Sequence, residues 1–313
     1  MSVPVGMSAG TPAGAAAGAP AGAAAGNPLL MRSTSRARVV KDVAARVAMW
    51  LAALIVLVPV ILILYYVAAK GLPTMDWEFL TQPTPYSMRL RGGGFVNGLI
   101  GTLLMVVLAA VVSIPLGLLG AIYLVEYGKK GLLAQVIRFF SDVMTGVPSV
   151  FVGLFVYTAM VIPFGFGVVM GAASLAIIML PIVVRSSEEM LKLVPRELKE
   201  ASYALGAGHW HTISRVVLPA AAPGLTTGTM LAVARAAGET APLLLTALSA
   251  QEIVTRLVGE ATASLPVLIY YGARNPFPAG QERAWAGALE LLLLVLVFTL
   301  LARVASSRNR LWQ

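Results

Sequence analysis

Two opposite charges stand inside one apolar stretch, AVARAAGETAPLLLTAL, residues 232–248. Arg235 and Glu239 are four residues apart, so a helix would place them on one face. Ionisable groups within a membrane span are costly and need either a partner or a water-filled cavity. The planar guanidinium fork also suits the oxygens of an oxyanion such as phosphate. The pair is therefore either an internal salt bridge or part of an anion site, and both readings stay open.

A carboxylate beside an anion site favours anions that can themselves donate a proton. Hydrogen phosphate has such a proton, whereas sulfate at neutral pH does not. We therefore expect Glu239 to accept a hydrogen bond from a protonated oxyanion and to disfavour fully ionised ones. Thr240, the next residue, is a further candidate for the pathway. Pro242 leaves the carbonyl of Gly238 without its helical donor, which loosens the helix beside the charges.

A second apolar run is interrupted by the sequence TGVPS, which begins at Thr145 and ends at Ser149. Broken membrane helices are tolerated where backbone lines a cavity or where neighbouring groups satisfy it. The two hydroxyls are therefore candidate pathway groups, although a plain proline kink explains the stretch equally well. Two acids stay unassigned. Asp142 is expected near the cytoplasmic boundary, and Glu290 either pairs with the intramembrane arginine or approaches the outer surface.

These residues must be positioned by membrane-spanning helices, because the composition excludes a soluble domain. Of 313 residues, 58% are hydrophobic and only 12% are charged, against roughly 25% charged in soluble proteins. The apolar runs predict an all-α polytopic membrane protein with six transmembrane helices. The expected spans are about 47–69, 97–125, 139–161, 165–184, 226–248 and 285–304.

The distribution of basic residues predicts the orientation. With a cytoplasmic amino terminus, sixteen basic residues lie on the inner side: Arg32, Arg36, Arg38, Lys41, Arg46, Lys129, Lys130, Arg138, Arg185, Lys192, Arg196, Lys199, Arg215, Arg303, Arg308 and Arg310. Six lie on the outer side: Lys70, Arg89, Arg91, Arg256, Arg274 and Arg283. Because basic residues favour the cytoplasmic side, we expect both termini there.

Several kinds of chemistry are excluded or disfavoured. The chain has no cysteine, which excludes disulfides and thiolate metal sites. Its two histidines, His209 and His211, would point to different faces of a helix, so no metal site is expected. No Gly-x-x-x-x-Gly-Lys-Ser/Thr motif occurs, so the chain is not expected to hydrolyse ATP or to bind a cofactor itself. A Pro-Ala-Gly repeat at residues 12–27 predicts a disordered cytoplasmic leader over residues 1–40.

A polar, helix-sized segment, LKEASYALGAGHWHTISRVVLPAAAPGL, lies at residues 198–225 between apolar runs. Pro195 and Glu197 suit the first turn of a short helix because of the fixed proline backbone and the helix dipole. The helix would carry one apolar stripe: Leu198, Ala201 and Leu205. Such a helix either lies on the membrane surface or docks in the groove of a soluble partner.

The polar segment also predicts a turn and a second short helix. Gly206 and Gly208 can adopt the open conformations that end a helix and turn the chain. The second helix is expected to begin near residue 209 and to be closed by Leu218-Pro219, before the next span. Its expected apolar face consists of Trp210, Ile213 and Val217.

The same segment resembles the EAA loop of binding-protein-dependent ABC importer permeases. The matching pattern is Glu200-Ala201-Ser202, three residues, Gly206, nine residues, then Val216-Val217-Leu218-Pro219. Ser202 and Val216 depart conservatively from the pattern. In that family the loop seats on the ATP-hydrolysing subunit. The resemblance implies an ATPase-coupling role within a coupling loop at 185–224, for Arg196, Glu197, Glu200, Ala201, Gly206, Trp210, Ile213 and Val217.

The intramembrane stretch Arg235-x-x-Gly238-Glu239-Thr240-Ala241-Pro242-Leu243 is similar to the permeases of phosphate-specific (Pst) importers, and to the PstA type more than the PstC type. SLPV at 264–267 and AWAGA at 284–288 support this resemblance, which covers roughly residues 40–313. It implies a type I ABC importer permease fold over residues 41–313 with a core at about 95–304. The residues implied for the substrate pathway are Arg235, Glu239, Thr240, Thr145 and Ser149.

The resemblance also implies partners and a location. The partners would be a PstC-type second permease, a PstB-type ATPase dimer that uses ATP and Mg, and a PstS-type phosphate-binding protein, periplasmic or lipid-anchored. The location would be a bacterial inner membrane, the transported ion would be inorganic phosphate, and no nucleic acid would be involved. Three alternatives remain: a permease for another oxyanion, a secondary phosphate carrier, and a membrane-embedded scaffold or phosphate sensor.

Overall fold

The computed structural model describes residues 36–128 and 131–308, and in these ranges the chain forms helices and no strand. Most of the expected leader, residues 1–35, lies outside the described residues. The helices are α1 (Arg36–Gly71), α2 (Trp77–Thr81), α3 (Val96–Tyr127), α4 (Leu132–Gly146), α5 (Ser149–Phe164), α6 (Val168–Lys192), α7 (Arg196–Ala204), α8 (His209–Ala237), α9 (Ala241–Thr246), α10 (Leu265–Ala273) and α11 (Pro278–Arg308). The all-α class is confirmed.

The chain divides into two compact units, residues 1–59 and 60–313. The described part of the first unit is the beginning of α1, whose large apolar side chains are exposed. Apolar side chains exposed along a helix of this length are typical of a lipid-facing span. All site residues discussed below belong to the second unit.

Five helices are long and apolar enough to cross a membrane: α1, α3, α6, α8 and α11. The expected third span, 139–161, is not one straight helix. Its place is taken by α4 and α5, which are bent by 105° at the break between Gly146 and Ser149, and which make a sixth span only if they are counted together. The Gly and Pro residues of TGVPS are the physical cause of the break.

The expected fifth span, 226–248, also has different bounds. Helix α8 runs without interruption from His209 to Ala237, so Leu218-Pro219 does not end a separate short helix. A π-helical turn at Ile213–Val217 directly precedes Pro219. The hydrogen-bond ladder is already offset there, so the missing proline N–H does not end the helix. The helix instead stops before Gly238, inside the expected span.

Helix α6 forms the centre of the second unit and packs against α3, α4, α5, α8 and α9. The main core joins α3, α6, α8 and α9 through Met105, Met179, Val183, Ala236 and Leu243, each at most 1% exposed. A second core lies toward α7, where Leu191, Ile213 and Val217 are buried together. The two cores fix α6 and α8 relative to each other from the membrane interior to the polar segment.

The long connection after α9 is packed against the helices. Its helix α10 contacts α11 and α3, and Leu265, Val267 and Leu268 are buried. A Cβ atom added at Gly101 would lie 2.0 Å from the carbonyl oxygen of Ala263, so only glycine fits where α3 meets this connection.

Candidate anion pathway and coupling surface

A small cavity of about 40 Å³ lies at the break between α4 and α5. Its lining combines apolar side chains, two hydroxyls and one charge: Met144, Thr145, Val147, Ser149, Val152, Ile178, Ile182 and Arg235. The cavity therefore brings together three of the five residues expected in the substrate pathway, from three different helices or helix ends. A single cation and two hydroxyls in an otherwise apolar lining are suited to an oxyanion.

The α4–α5 break is held by a close helix contact. Val147 and Pro148 have extended backbone, with ψ of 128° and 133°, so that α5 restarts at Ser149 in a new direction. A Cβ atom added at Gly153 would lie 2.7 Å from the Cα atom of Pro242. Because α5 thus lies directly on α9, the hydroxyl-bearing break is placed beside the charged end of α8.

Arg235 and Glu239 form the ion pair that their spacing predicts, but the contact is loose. The Nε atom of Arg235 lies 3.7 Å from Oε1 of Glu239, which is too long for a hydrogen bond. The arginine side chain is 60% exposed and the glutamate only 14%. Among the described residues, no other side chain engages the guanidinium. Its N–H fork thus remains available to a ligand in the cavity.

The helix ends between these two charges. Helix α8 stops at Ala237, and the Glu239 N–H donates to the carbonyl of Ala236 at 3.2 Å. Pro242 lies in the first turn of α9 and does not kink a continuous helix. Glu239 and Thr240 lie in the break between α8 and α9 and do not line the cavity themselves.

The Thr145 hydroxyl already uses its proton. It donates to the backbone carbonyl of Asp142 at 2.7 Å. The oxygen can then act only as an acceptor toward a ligand in the cavity. An anion that carries its own proton can donate to this oxygen, whereas a fully ionised one cannot.

The polar segment forms a hairpin of α7 and the beginning of α8, with Gly206 at φ +82° in the turn, as expected. We call the exposed side chains of this hairpin the coupling surface: Leu198 at 44%, Leu205 at 89% and Trp210 at 59% exposure, with Arg196, Glu197, Glu200 and Ala201 also exposed. Ile213 and Val217 are different, since they are buried in this chain's own core. They support the hairpin from inside and are not accessible to a partner.

Two polar contacts that the sequence did not predict stabilise the hairpin. One joins its two helices, and the other joins it to α3. The hydroxyls of Ser202 and Thr212 are hydrogen-bonded at 2.9 Å and buried. Lys199 of α7 forms an ion pair with Glu126 in the π-helical turn that ends α3. Each contact joins residues of different helices, so neither could be predicted from spacing in the sequence.

Two buried acids of the long helices differ in their partners. Glu188 of α6 is 1% exposed and binds Arg138 at 2.8 Å and Lys192 at 2.7 Å. Glu290 of α11 is 5% exposed, and both its carboxyl oxygens lack a hydrogen-bond partner among the described residues. The expected pairing of Glu290 with Arg235 is wrong, since no ion pair joins them among the described residues.

These helices and this hairpin have the architecture of an ABC importer permease. A family model described as "Binding-protein-dependent transport system inner membrane component" matches residues 113–311. The chain therefore belongs to that family. A solved bacterial ABC transporter involved in the import of the acidic polysaccharide alginate shares the fold, with a TM-score of 0.52 at 18% identity, covering 87% of this chain and 99% of that one. The expected type I permease fold is confirmed.

Curated relatives narrow the class further. The chain is 45% identical to the phosphate transport system permease protein PstA of Yersinia pestis, over 79% of this chain and 84% of the relative. It is 40% identical to phosphate transport system permease protein PstA 1 of Mycobacterium tuberculosis strain H37Rv, over 90% of this chain and 94% of the relative. The resemblance to PstA-type permeases that residues 235–243 indicate is confirmed.

Proposed function

We infer that this chain is the membrane-spanning permease subunit of an ATP-driven importer of inorganic phosphate. The observation that carries this inference is the agreement between its relatives and its cavity. The relatives at 40–45% identity are phosphate transport permeases. The cavity offers one arginine with an unoccupied N–H fork and two hydroxyls in an apolar lining.

Hydrogen phosphate would bind through complementary hydrogen bonds. The Arg235 fork donates to two phosphate oxygens, which is the geometry in which arginine binds phosphate most strongly. Thr145, whose proton is already used, provides an acceptor for the P–OH proton inside the cavity. Glu239 does not line the cavity, but its carboxylate lies beside the Arg235 guanidinium and would be a second acceptor for an anion bound to that fork. The negative charge of Glu239 beside Arg235 also lowers the affinity of the site for the anion. A transport site needs this balance, because an anion that is bound too tightly does not leave.

Coupling to ATP hydrolysis would run through the coupling surface. Leu205 is 89% exposed and Trp210 59% exposed on a hairpin that otherwise carries charges. Exposed large apolar side chains surrounded by polar residues mark protein interfaces. The proposed occupant is an ATPase subunit that uses ATP and Mg, whose closure would move the hairpin and open the pathway alternately to the two sides.

The other proposed components follow from the same importer type. They are a second, PstC-type permease, a dimer of PstB-type ATPase subunits and a PstS-type phosphate-binding protein. In this proposal the chain lies in a bacterial inner membrane with both termini in the cytoplasm. A secondary carrier would need no partner on the hairpin, and the exposure of Leu205 argues against it.

Uptake of labelled phosphate by cells that carry Arg235→Gln tests the inference. We expect uptake to fall at least about tenfold, since a charge-assisted bidentate contact is lost, while the assembled complex is still recovered. Arg256→Gln is the matched control, because Arg256 forms an i,i+4 ion pair with Glu260 in the connection after α9. Equal uptake by the two variants would contradict the proposed pathway, and loss of the complex in Arg235→Gln would assign the pair a structural role.

Glu239→Gln separates phosphate from other oxyanions. Because the P–OH proton would lose its charged acceptor, we expect weaker phosphate uptake and a smaller preference for phosphate over sulfate in competition. Glu260→Gln is the control. Unchanged rate and selectivity in Glu239→Gln would show that this carboxylate does not accept the P–OH proton. Sulfate taken up as well as phosphate by the natural chain would instead favour a permease for another oxyanion.

A further inference from the structure

We propose that Arg185 is a second anion-binding residue, placed between the cavity and the coupling hairpin, with Asp142 as its resident counter-ion. The proposal rests on the inferred phosphate permease function and deepens it. It adds a station at which phosphate released by Arg235 is held before it leaves the pathway. Sequence reasoning assigned no role to either residue.

The Arg185–Asp142 pair bridges two of the helices that build the cavity. Nε of Arg185 on α6 lies 3.1 Å from Oδ1 of Asp142 on α4. Arg185 is three residues beyond Ile182, and Asp142 is three residues before Thr145. Ile182 and Thr145 both line the cavity. The pair therefore lies next to the cavity, about one helical turn (~5 Å) toward the hairpin.

A contact between α6 and α8 gives the separation of Arg185 from Arg235 along the helix axes. A Cβ atom added at Gly228 of α8 would lie 2.7 Å from Cβ of Ser186, the neighbour of Arg185. Gly228 is seven residues before Arg235 on the same helix, which corresponds to about 10 Å along the axis. Two cations with this separation along the helix axes form successive stations for one anion.

Arg185 has two features of a binding residue: its side chain is exposed, and an ion contact is its one interaction among the described residues. Its side chain is 42% exposed and that of Asp142 53% exposed. No side-chain hydrogen bond of Arg185 occurs among the described residues, so the contact with Asp142 is an ion contact alone. Arg138, one turn further toward the hairpin side of α4, instead donates to Glu188 at 2.8 Å and to the carbonyl of Leu124 at 3.0 Å.

The same arrangement occurs at Arg235, where an exposed arginine with an unoccupied N–H fork stands beside one acid. In both places the acid offsets part of the attraction between the guanidinium and an anion. Binding that is favourable enough for entry but weak enough for departure is what a multi-site pathway requires. The incoming anion would displace Asp142 from the fork of Arg185, and Asp142 would return when the anion leaves.

The test uses the complete importer, with labelled phosphate uptake, recovery of the complex and ATP hydrolysis measured together. Arg185→Gln should lower uptake about tenfold or more, with the complex recovered intact. Arg185→Lys should retain part of the uptake, because a cation remains. Arg256→Gln is the control, since Arg256 is an exposed arginine in the connection after α9, away from the cavity and the hairpin, and it should transport like the natural chain.

The charge exchange Asp142→Arg with Arg185→Asp decides between a binding residue and a structural bridge. An anion station needs the cation on α6, so the exchanged protein should remain as defective as Arg185→Gln. Restored uptake would show a bridge that only holds α4 to α6, and would overturn the proposal. Uptake by Arg185→Gln equal to that of Arg256→Gln would overturn it too. Absence of phosphate uptake by the natural importer would instead refute the proposed function itself.

Discussion

At the scale of single residues, burial and partners separate acids that look alike in the sequence. Glu188 and Glu290 both stand in long apolar helices. The first is clamped by two cations on its buried oxygen, and the second has no partner among the described residues. Burying a carboxylate costs several kcal/mol unless it is paired or neutralised. The two residues should therefore respond in opposite ways to loss of charge.

We expect Glu188→Gln to destabilise the purified protein by about 2 kcal/mol, because it leaves Arg138 and Lys192 without their shared acid. Glu290→Gln should leave stability unchanged or raise it, because it removes a buried charge and keeps the shape. The midpoint of thermal unfolding in detergent measures both. An equal loss of stability in Glu290→Gln would mean that this carboxyl has a partner in the working protein.

The charged residues of the candidate site could be predicted from the sequence, whereas the ion pairs between helices around it could not. Arg235 and Glu239 could be found because two charges in an apolar run are conspicuous, although the helix that their spacing suggested ends between them. Thr145 and Ser149 could be found because glycine and proline mark a break. The pairs Arg185–Asp142 and Lys199–Glu126 could not be found, because each joins helices that are distant in the sequence. Nothing short of the packed fold specifies such pairs.

At the scale of helices, sequence reasoning predicted which segments are helical and misjudged where two of them end. It predicted α3 almost to its limits, 97–125 against Val96–Tyr127. It divided α8 at Pro219 because it could not anticipate the π-helical turn just before that proline. It also drew one straight span through TGVPS, where α4 and α5 meet at 105°. Local propensity shows that a helix is interrupted, but tertiary packing decides whether it kinks, turns or continues.

One ion pair connects the hairpin to the spans and predicts a mechanical link. Lys199 of α7 is 19% exposed and Glu126 at the end of α3 only 6%, so the pair is little screened by solvent. Displacement of α7 would be transmitted to α3, and α3 packs extensively on α6, which lines the cavity. We therefore expect this pair to transmit the hairpin's movement.

Glu126→Lys and Lys199→Glu should each lower the phosphate transported per ATP hydrolysed, because two like charges then face each other at the end of α3. The double exchange should restore the ratio, with a coupling energy of about 1–3 kcal/mol between the two sites. Uptake and ATP hydrolysis measured on the same reconstituted importer give this ratio. Failure of the double exchange to restore it would assign the link to packing alone.

At the scale of the whole molecule, the exposed side chains differ between the membrane faces and the hairpin. The described parts of α1, α4 and α5 expose continuous apolar side chains, as lipid-facing or permease-facing helices do. The hairpin exposes a few large apolar side chains among charges. This pattern is typical of a hairpin that lies in water and has one apolar contact with a partner. The excess of basic residues on the same side predicts that this water is the cytoplasm.

The absence of cysteine makes this orientation directly measurable, because a single introduced cysteine is the only thiol in the chain. We expect Leu205→Cys to react with a membrane-impermeant maleimide in inside-out vesicles and not in right-side-out vesicles. Trp77→Cys, at a residue 79% exposed near the start of α2, should show the reverse. Bound ATPase subunit should protect Leu205→Cys from the reagent and leave Trp77→Cys unaffected in reagent-permeable vesicles. Labelling of Leu205→Cys in right-side-out vesicles would place the hairpin on the wrong side for ATP-driven coupling, and labelling unchanged by the ATPase would remove the coupling surface from the transport mechanism.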